Sequence, residues 1–443
     1  MIRKLFILIT LLFPISLMAQ QKWTLRQCVE HAIENNIDLR QQEVAVEQSD
    51  LAVHTNRFSR LPDLNAGVGQ NFSFGRSTNV TTNISESRNS LSTSFNIHSS
   101  IPLFSGFRIP NEIKASKLDL LASMEGLNKA KENLEIQVTN YFLDVLFKKE
   151  LLSIAEEQVE QTKEQVERTR LLYEADKVAL AQLYDIKAQL ANDELNRQNA
   201  KNNLEASLLD LSQALNLRDV SQFDIQEPNL DNVIADNIGS ILPPEEIYQQ
   251  AVQIKPHVRE ASYRLEGEKK RLKIAQAAYW PTVNFNMSYS TGYGRTAGFD
   301  NIIFKRQLRD NSSEVLGISV NIPIFNRFQT RNRVKESRLL ILNRSLELDN
   351  VRQAFYKEIQ QAYQSAVASQ SKYDFTVKSL EAAQEAYHYA QEKYSVGRST
   401  VVELNEAKLK YITSQSEQLQ AKYDFLFRAK ILDFYRGYPI IIE

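Results

Sequence analysis

The chain has 443 residues and a formal net charge of -1, with 43% apolar and 24% charged residues. The near-neutral charge gives no indication of a nucleic-acid partner, which requires a basic face, and the composition argues against a disordered chain or a many-span helical membrane protein. With only 13 glycines and 11 prolines, a loop-rich fold is not expected.

Residues 1–19 have the layout of a secretory signal peptide. Two basic residues precede a nearly continuous apolar run, Leu5–Leu17, and Ala19 offers a small residue before a cut at Gln20. The apolar run is too short to span a bilayer as a stable helix. We therefore expect an exported chain, and its only cysteine, Cys28, cannot form an internal disulfide.

The mature chain opens with a predicted helix over 24–60 and continues into a strand. Apolar and polar residues alternate from Leu64 to Phe74, which is typical of a half-buried strand. A polar loop over 75–90, rich in Ser, Thr and Asn, leads to a second predicted strand near 91–103. This part of the chain therefore predicts one strand–loop–strand hairpin.

A very long helix is predicted next. Residues 111–174 contain no proline, and their apolar residues recur at steps of three, four or seven, the spacing of a coiled-coil seam. At 1.5 Å per residue, 64 residues span roughly 100 Å. The seam residues are Leu120, Met124, Leu127, Leu134, Val138, Tyr141, Val145, Leu152, Val159 and Val166. The chain is then predicted to return through a second helix over 178–215.

The second half of the chain repeats the first. Ile101–Phe107 reappears as Ile322–Phe328 at an offset of 221, a period that indicates a domain duplication and not a solenoid. The same elements are predicted in the same order: a helix over 244–279, a strand from Val283, a loop over 292–313, a strand over 315–324 and helices over 330–395 and 400–434. We predict a first repeat over 20–215, an equatorial linker over 216–244 and a second repeat over 245–443.

Four strands of about ten residues have the length needed to cross an outer membrane. Four strands cannot close a barrel, and an open sheet edge has no hydrogen-bond partners in lipid. Two copies would give eight strands, whose interior is normally filled by side chains, whereas three copies would give twelve strands around an aqueous pore. We therefore predict a membrane α+β fold in which each protomer of a trimer contributes four strands to one barrel.

Several segments, in order and in both halves, resemble the TolC-like outer membrane efflux proteins. They are Leu25–Asn36, Leu61–Pro62, Ile101–Phe104, Ile322–Phe325 and, most specifically, Tyr394–Leu404. The resemblance covers nearly the whole mature chain. It implies a homotrimer in the outer membrane whose barrel is continued by a long α-helical barrel in the periplasm. The periplasmic end would open when an inner-membrane pump and a periplasmic adaptor engage it, with no cofactor and no enzyme activity.

The segment Tyr394–Leu404 carries the candidate site. Gly397 suits a turn between helices because glycine tolerates positive φ. Thr400 and Glu403 have the spacing of a capping box, which would by itself explain the acid at 403. Glu403 and Glu406 share a helical face.

The resemblance assigns roles to these residues. Glu403 and Glu406 match the positions where the family carries acidic rings at its constriction, and Asp185 occupies the position of Glu406 in the first repeat. Tyr394 matches a tyrosine that ties the closed state. The adaptor-docking tip would comprise Val396, Gly397, Arg398, Ser399 and Thr400, together with a counterpart near 176–179.

Two other classes of protein share some of these sequence features. A periplasmic coiled-coil adaptor or scaffold would share the long helical hairpins but would not need four strands of membrane length. An envelope hydrolase would need a clustered polar site, and the sequence shows neither a nucleophile elbow nor histidines at metal-ligand spacing. We therefore expect no metal site.

Overall fold

The computed structural model describes residues 22–78, 85–87, 89–218, 223–228, 241–297 and 302–442. The predicted signal peptide and most of the predicted linker lie outside these residues. In the first half the elements are α1 (Leu25–Asn35), α2 (Ile37–Phe58), β1 (Asn65–Ser73), β2 (Arg76–Thr78), β3 (Ser85–Ser87), β4 (Ser90–Ser105), α3 (Arg108–Glu174) and α4 (Leu180–Ala214). In the second half they are α5 (Pro244–Ala251), α6 (Pro256–Ala277), β5 (Thr282–Thr296), α7 (Phe304–Asp310), β6 (Ser313–Asn321), α8 (Gln329–Ser395) and α9 (Val401–Tyr435).

The two opening helices are each broken, whereas the sequence predicted one continuous helix in each half. Asn36 has an extended conformation (ψ 128°), and its side-chain oxygen accepts the N–H of Leu39 at 3.0 Å, so a new helix begins there. In the second half the break precedes Pro256, because a proline lacks the N–H for the helix ladder and restricts the residue before it.

The polar loops of the two hairpins contain short elements that were not predicted. Within the predicted loop 75–90, β2 and β3 form a two-stranded ribbon. Within the predicted loop 292–313, the short helix α7 follows β5, and Thr291 donates its hydroxyl hydrogen to the carbonyl oxygen of Leu308 at 2.6 Å. Both hairpins predicted from the alternation of residues are nevertheless present.

The four long strands form one antiparallel sheet in the order β1-β4-β5-β6. Residues that pair directly across strands lie on the same face of a sheet. The register therefore places one mainly apolar set on one face, on which Arg295 and Glu314 are the charged residues of the described strands. The apolar members are Val68, Phe72, Leu91, Phe95, Ile97, Ile101, Val283, Phe285, Met287, Tyr289, Leu316, Ile318 and Val320. The opposite face consists mainly of Ser, Asn, Thr and Gly, and along the described strands it carries no Asp, Glu, Lys or Arg.

The duplication is visible in the backbone. Residues with positive φ recur at an offset of 221, which matches the offset of the sequence repeat. The pairs are Gly106 and Arg327, Phe107 and Phe328, Asp176 and Gly397, and Asn216 and Gly437. The helical hairpins α3–α4 and α8–α9 also begin and end at residues that are 221 positions apart, so their sequences align without a gap.

The chain forms two compact units that do not coincide with the two repeats. One unit combines the chain up to Arg40, Ala130–Lys255 and the chain from Phe355 onward. Its most buried large side chains include Phe142, Leu146, Ile186, Leu211, Phe355, Ile359, Leu404, Phe425 and Leu426. The other combines Gln41–Lys129 with Pro256–Ala354 and contains the sheet. Within the described ranges, no helix combines the length and apolarity needed to traverse a bilayer.

The predicted coiled-coil seam is confirmed over part of α3. Leu134, Val138, Val145 and Val159 are buried, whereas Met124 is 45% exposed. The predicted linker is ordered where it is described: Trp23 and Ile225 form a parallel bridge, and Lys149 holds the same segment through Asp224 at 2.5 Å.

Candidate functional site at the helical turns

The turn between α8 and α9 closes the long helix with a Schellman motif. The N–H of Arg398 donates to the carbonyl oxygen of Lys393 at 2.9 Å, and the N–H of Gly397 donates to that of Tyr394 at 3.1 Å. Gly397 has φ +72°, and a Cβ there would meet open space. Glycine is therefore favoured by the backbone conformation and not by crowding, as the sequence predicted.

The predicted capping box at the start of α9 is confirmed. The N–H of Glu403 donates to Thr400 Oγ1, and the N–H of Thr400 donates to Glu403 Oε2, both at 3.3 Å. Ser399 Oγ also donates to Glu403 Oε2 at 2.6 Å. These hydrogen bonds, from Ser399 first and Thr400 second, lower the pKa of Glu403 because they stabilise the charged carboxylate. Glu403 is thus committed to local structure.

Glu406 and Asp185 have more open surroundings. Both carboxylates are exposed, and among the described residues neither forms a hydrogen bond or ion pair. Glu406 lies at the rim of a cavity of about 340 Å³, whose lining also includes Asp193, Lys408 and Gln158. Of the predicted constriction acids, Glu406 and Asp185 therefore lack the local hydrogen bonds that hold Glu403.

Tyr394 and part of the predicted tip share one cavity. The half-buried Tyr394 lines a cavity of about 880 Å³ together with Gly397, Ser399 and Gln182. Val396, Arg398 and Thr400 are exposed and do not line it. The cavity is lined by residues of both helical turns, α3–α4 and α8–α9. The predicted tip and its first-repeat counterpart therefore lie close together.

The turn between α3 and α4 has the same backbone conformation as the turn between α8 and α9, but the helix that follows it has no side-chain N-cap. The N–H of Lys177 donates to the carbonyl oxygen of Leu172, and the N–H of Asp176 donates to that of Tyr173, both at 2.9 Å. Asp176 takes the left-handed conformation (φ 58°) that Gly397 takes in the second repeat. Ala179 occupies the N-cap position of α4 and makes no side-chain cap. The two turns are therefore equivalent in shape but not in their stabilising contacts.

A buried ionic cluster lies farther along the same helices and was not predicted. Lys408 Nζ donates to Asp193 Oδ2 at 2.9 Å and to Thr162 Oγ1 at 2.7 Å, and the two charged side chains are only 4% and 3% exposed. Gln189 Nε2 donates to the second oxygen of Asp193 at 2.7 Å. Removal of one partner from such a pair costs about 3–5 kcal/mol, because the other charge stays buried without compensation.

The sequence model described as "Outer membrane efflux protein" matches residues 28–217 and 247–434. The chain belongs to the outer membrane efflux protein family. Its two matched segments correspond to the two halves of the duplication, which supports the duplicated fold.

Similar outer membrane efflux proteins include BepC of Brucella suis biovar 1 (strain 1330), 22% identical over 324 residues that cover 73% of this chain and 67% of BepC. TolC of Escherichia coli (strain K12) is 20% identical over 300 residues, 67% of this chain, and the match spans only 59% of TolC. The solved structure of CusC superposes with a TM-score of 0.77 at 16% identity, covering 93% of this chain and 91% of that one. VceC from Vibrio cholerae superposes with a TM-score of 0.72 at 15% identity, covering 94% and 97%.

Membership in the outer membrane efflux protein family confirms the resemblance inferred from the sequence and places the chain in the outer membrane. Members of this family are efflux channels and not enzymes. Across the described residues, no group of three or more His, Cys, Asp or Glu side chains could hold a metal ion.

Proposed function

We propose that this outer membrane efflux protein is one protomer of a homotrimeric exit duct that conducts passively. Its periplasmic end would be gated by helix movement, and its transport would be driven by an inner-membrane pump through a periplasmic adaptor. The partners and the trimer come from the resemblance to TolC-like proteins, and the sheet supports the trimer independently.

The four-stranded sheet carries the proposal. Its apolar face suits lipid and its polar, uncharged face suits water, as in outer-membrane barrels. The edges are β1 and β6, and an open edge has no hydrogen-bond partners in a bilayer. Strand direction alternates along the order β1-β4-β5-β6, so β6 of one copy would pair with β1 of the next in the same antiparallel manner.

The number of copies follows from the space that the interior must provide. Two copies would give eight strands, an interior that side chains normally fill. Three copies would give twelve strands, which leave room for water. The small Ser, Asn, Thr and Gly residues of the polar face would line that opening and would add no fixed charge to it.

Within the duct, we assign the constriction to the helical turns. Glu406 is the main gating acid because its carboxylate is exposed and free of partners in the described structure, with Asp185 as its first-repeat counterpart. Glu403 contributes chiefly by fixing the start of α9 through its cap. Tyr394 would hold the closed turn, and Val396, Gly397, Arg398, Ser399 and Thr400 would form the adaptor-docking tip.

Single-channel recording in a planar bilayer tests the duct and the gate together. We expect a small, cation-selective conductance from the wild type. Glu406→Gln removes three carboxylates per trimer and is expected to reduce cation selectivity, measured as the reversal potential in a salt gradient. Glu403→Gln is the matched control from the same helix face and is expected to alter selectivity less.

The outcomes separate the alternatives. Equal effects of the two substitutions would remove the special role of Glu406 while keeping the duct. Folded protein that forms no channel, and that leaves the membrane fraction without detergent, would overturn the duct and favour a periplasmic scaffold.

A further inference from the structure

The buried cluster formed by Lys408, Asp193 and Thr162 joins three helices of one unit. Thr162 lies on α3, Asp193 on α4 and Lys408 on α9, so the contacts connect the first helical hairpin to the second. Thr162 Oγ1 lies 2.6 Å from Asp193 Oδ2, and Gln189 completes the shell of the carboxylate. Each charged atom of the pair therefore has at least one hydrogen-bond partner within this junction, which favours a buried ion pair that holds two elements in one register.

The duplication supplies an internal comparison. Because the hairpins align without a gap at an offset of 221, Lys408 corresponds to Lys187, while Asp193 and Thr162 correspond to Ser414 and Ala383. Lys187 is exposed, with its ammonium 5.7 Å from the Tyr184 ring centroid. Ser414 and Ala383 are 6% and 2% exposed and carry no charge. The lysine is thus present in both repeats, whereas the buried carboxylate that pairs with it is present in only one.

In a closed ring of six hairpins, two kinds of junction must alternate. One lies within a protomer, where α9 meets α3 and α4 of the same chain. The other lies between protomers. If successive hairpins are related by the same rotation around the ring, α4, which carries Lys187, packs against α8 and α9 of the next chain. The junction between protomers would meet Ser414 and Ala383 in place of the carboxylate and hydroxyl, so it has no buried ion pair.

We propose that the Lys408–Asp193–Thr162 cluster is a latch that keeps the two hairpins of each protomer together, so that the tunnel opens along the junctions between protomers. This inference rests on the trimeric duct proposed above. Lys408, Asp193 and Thr162 act as positioning residues: they hold α9, and with it Glu406, against the first hairpin while neighbouring chains part.

Removing the latch tests the proposal on the full-length trimer by single-channel recording. Lys408→Met leaves Asp193 unpaired and is expected to raise the maximal conductance, because the junction within each protomer can then part as well. Lys187→Met removes the same charge at the equivalent position and is expected to leave the conductance unchanged. Asp193→Leu/Lys408→Met replaces the pair by apolar side chains and is expected to restore the wild-type level.

Building a second latch is the converse test. Ala383→Thr/Ser414→Asp places the missing acceptors in the other hairpin, where Lys187 of the next protomer would meet them. We expect fewer openings than in the wild type, and recovery of openings when Lys187→Met is added. Conversely, an effect that persists in the absence of Lys187 would show that this lysine does not face the junction and would overturn the proposal.

The possible failures can be told apart. A wild type that forms no channel would overturn the proposed function. Wild-type channels with Lys408→Met indistinguishable from Lys187→Met would overturn the latch alone.

Discussion

Two acids one turn apart on α9 illustrate how surroundings decide what a side chain can do. Glu403 accepts hydrogen bonds from the Thr400 backbone and the Ser399 hydroxyl, whereas Glu406 is exposed and free of such bonds in the described structure. The first carboxylate is committed to the helix start, so of these two acids only the second is free for the gating role proposed above.

The cap at Glu403 predicts a pH dependence of the tip. The hydrogen bonds lower the pKa of Glu403 in the folded state, so its stabilising effect is present above the unfolded-state pKa of about 4.3 and is lost as the pH falls through the lowered folded-state pKa. Amide hydrogen exchange of residues 399–404 is expected to accelerate in that acid range. The Glu403→Gln variant should lack this step, and a step of equal size in both proteins would contradict the assignment.

Residue-level features differed in how far the sequence could predict them. The capping box involves Thr400 and Glu403, three residues apart, so local spacing was sufficient. The partners of Lys408 are Asp193 and Thr162, which are 215 and 246 residues away. The helical periodicity of the sequence does not distinguish Lys408 from a solvent-exposed lysine. Its side chain is buried only because three helices pack around it.

At the scale of the helix, the two turns share a Schellman backbone but differ in their N-caps. Ala179 precedes α4 without a cap, and Gln182 stands three residues later. The same chain already uses this pattern at α1, where Thr24 and Gln27 form a complete capping box. A threonine at 179 would therefore have its partner in place.

Ala179→Thr is expected to stabilise the start of α4 by about 1 kcal/mol, because it satisfies helix N–H groups that now lack a side-chain acceptor. Slower amide exchange in residues 180–183 would report it. Thr400→Ala in the second repeat is the matched control and should produce the opposite shift of similar size. No change in exchange after Ala179→Thr would mean that water already satisfies this helix start.

The left-handed residues of the turns predict a second pair of opposite effects. Gly397→Ala is expected to destabilise its turn by roughly 1–2 kcal/mol, because alanine is strained at positive φ although space is open around it. Asp176→Gly should stabilise the equivalent turn, by less, because aspartate tolerates this conformation better than alanine. Local hydrogen exchange of each turn measures both changes, and destabilisation by Asp176→Gly would contradict the reasoning.

Most helices and strands could be predicted because they depend on periodicity along the chain. The long helices begin and end within a few residues of the predicted bounds. The breaks at Asn36 and before Pro256 were missed, although a side chain that bonds to a nearby N–H and a proline are both known helix interrupters. The short helix α7 was also missed, since the charge and glycine of its segment resemble a loop.

For the whole molecule, the two faces of the sheet make a clear prediction at neighbouring positions of β5. Met287→Arg places a charge on the apolar face and is expected to destabilise the protein in membranes by about 2–4 kcal/mol. Asn286→Arg places the same charge on the polar face and should leave folding nearly intact while shifting ion selectivity. Folding yield in lipid vesicles and bilayer recording distinguish the two, and equal loss of folding would contradict the assignment of faces.

The sequence predicted more of the overall architecture than of the candidate site. Four strands of membrane length cannot close a barrel alone, so the sequence predicted several copies. That argument depends on hydrogen bonding in lipid and not on any single residue. The division of the chain into two compact units that mix the repeats was not predicted, because periodicity within a helix does not reveal which helix packs beside it.

The gap-free match of the two helical hairpins makes them interchangeable modules. Residues 108–214 and 329–435 have the same number of residues and the same turn geometry, so one can replace the other without altering where the chain enters and leaves. In the proposed ring, a chimaera with the first hairpin in both places would carry Thr162, Asp193 and Lys187 at every junction, and we expect it to stay closed. A chimaera with the second hairpin in both places would carry the lysine without the carboxylate, and we expect it to open at every junction.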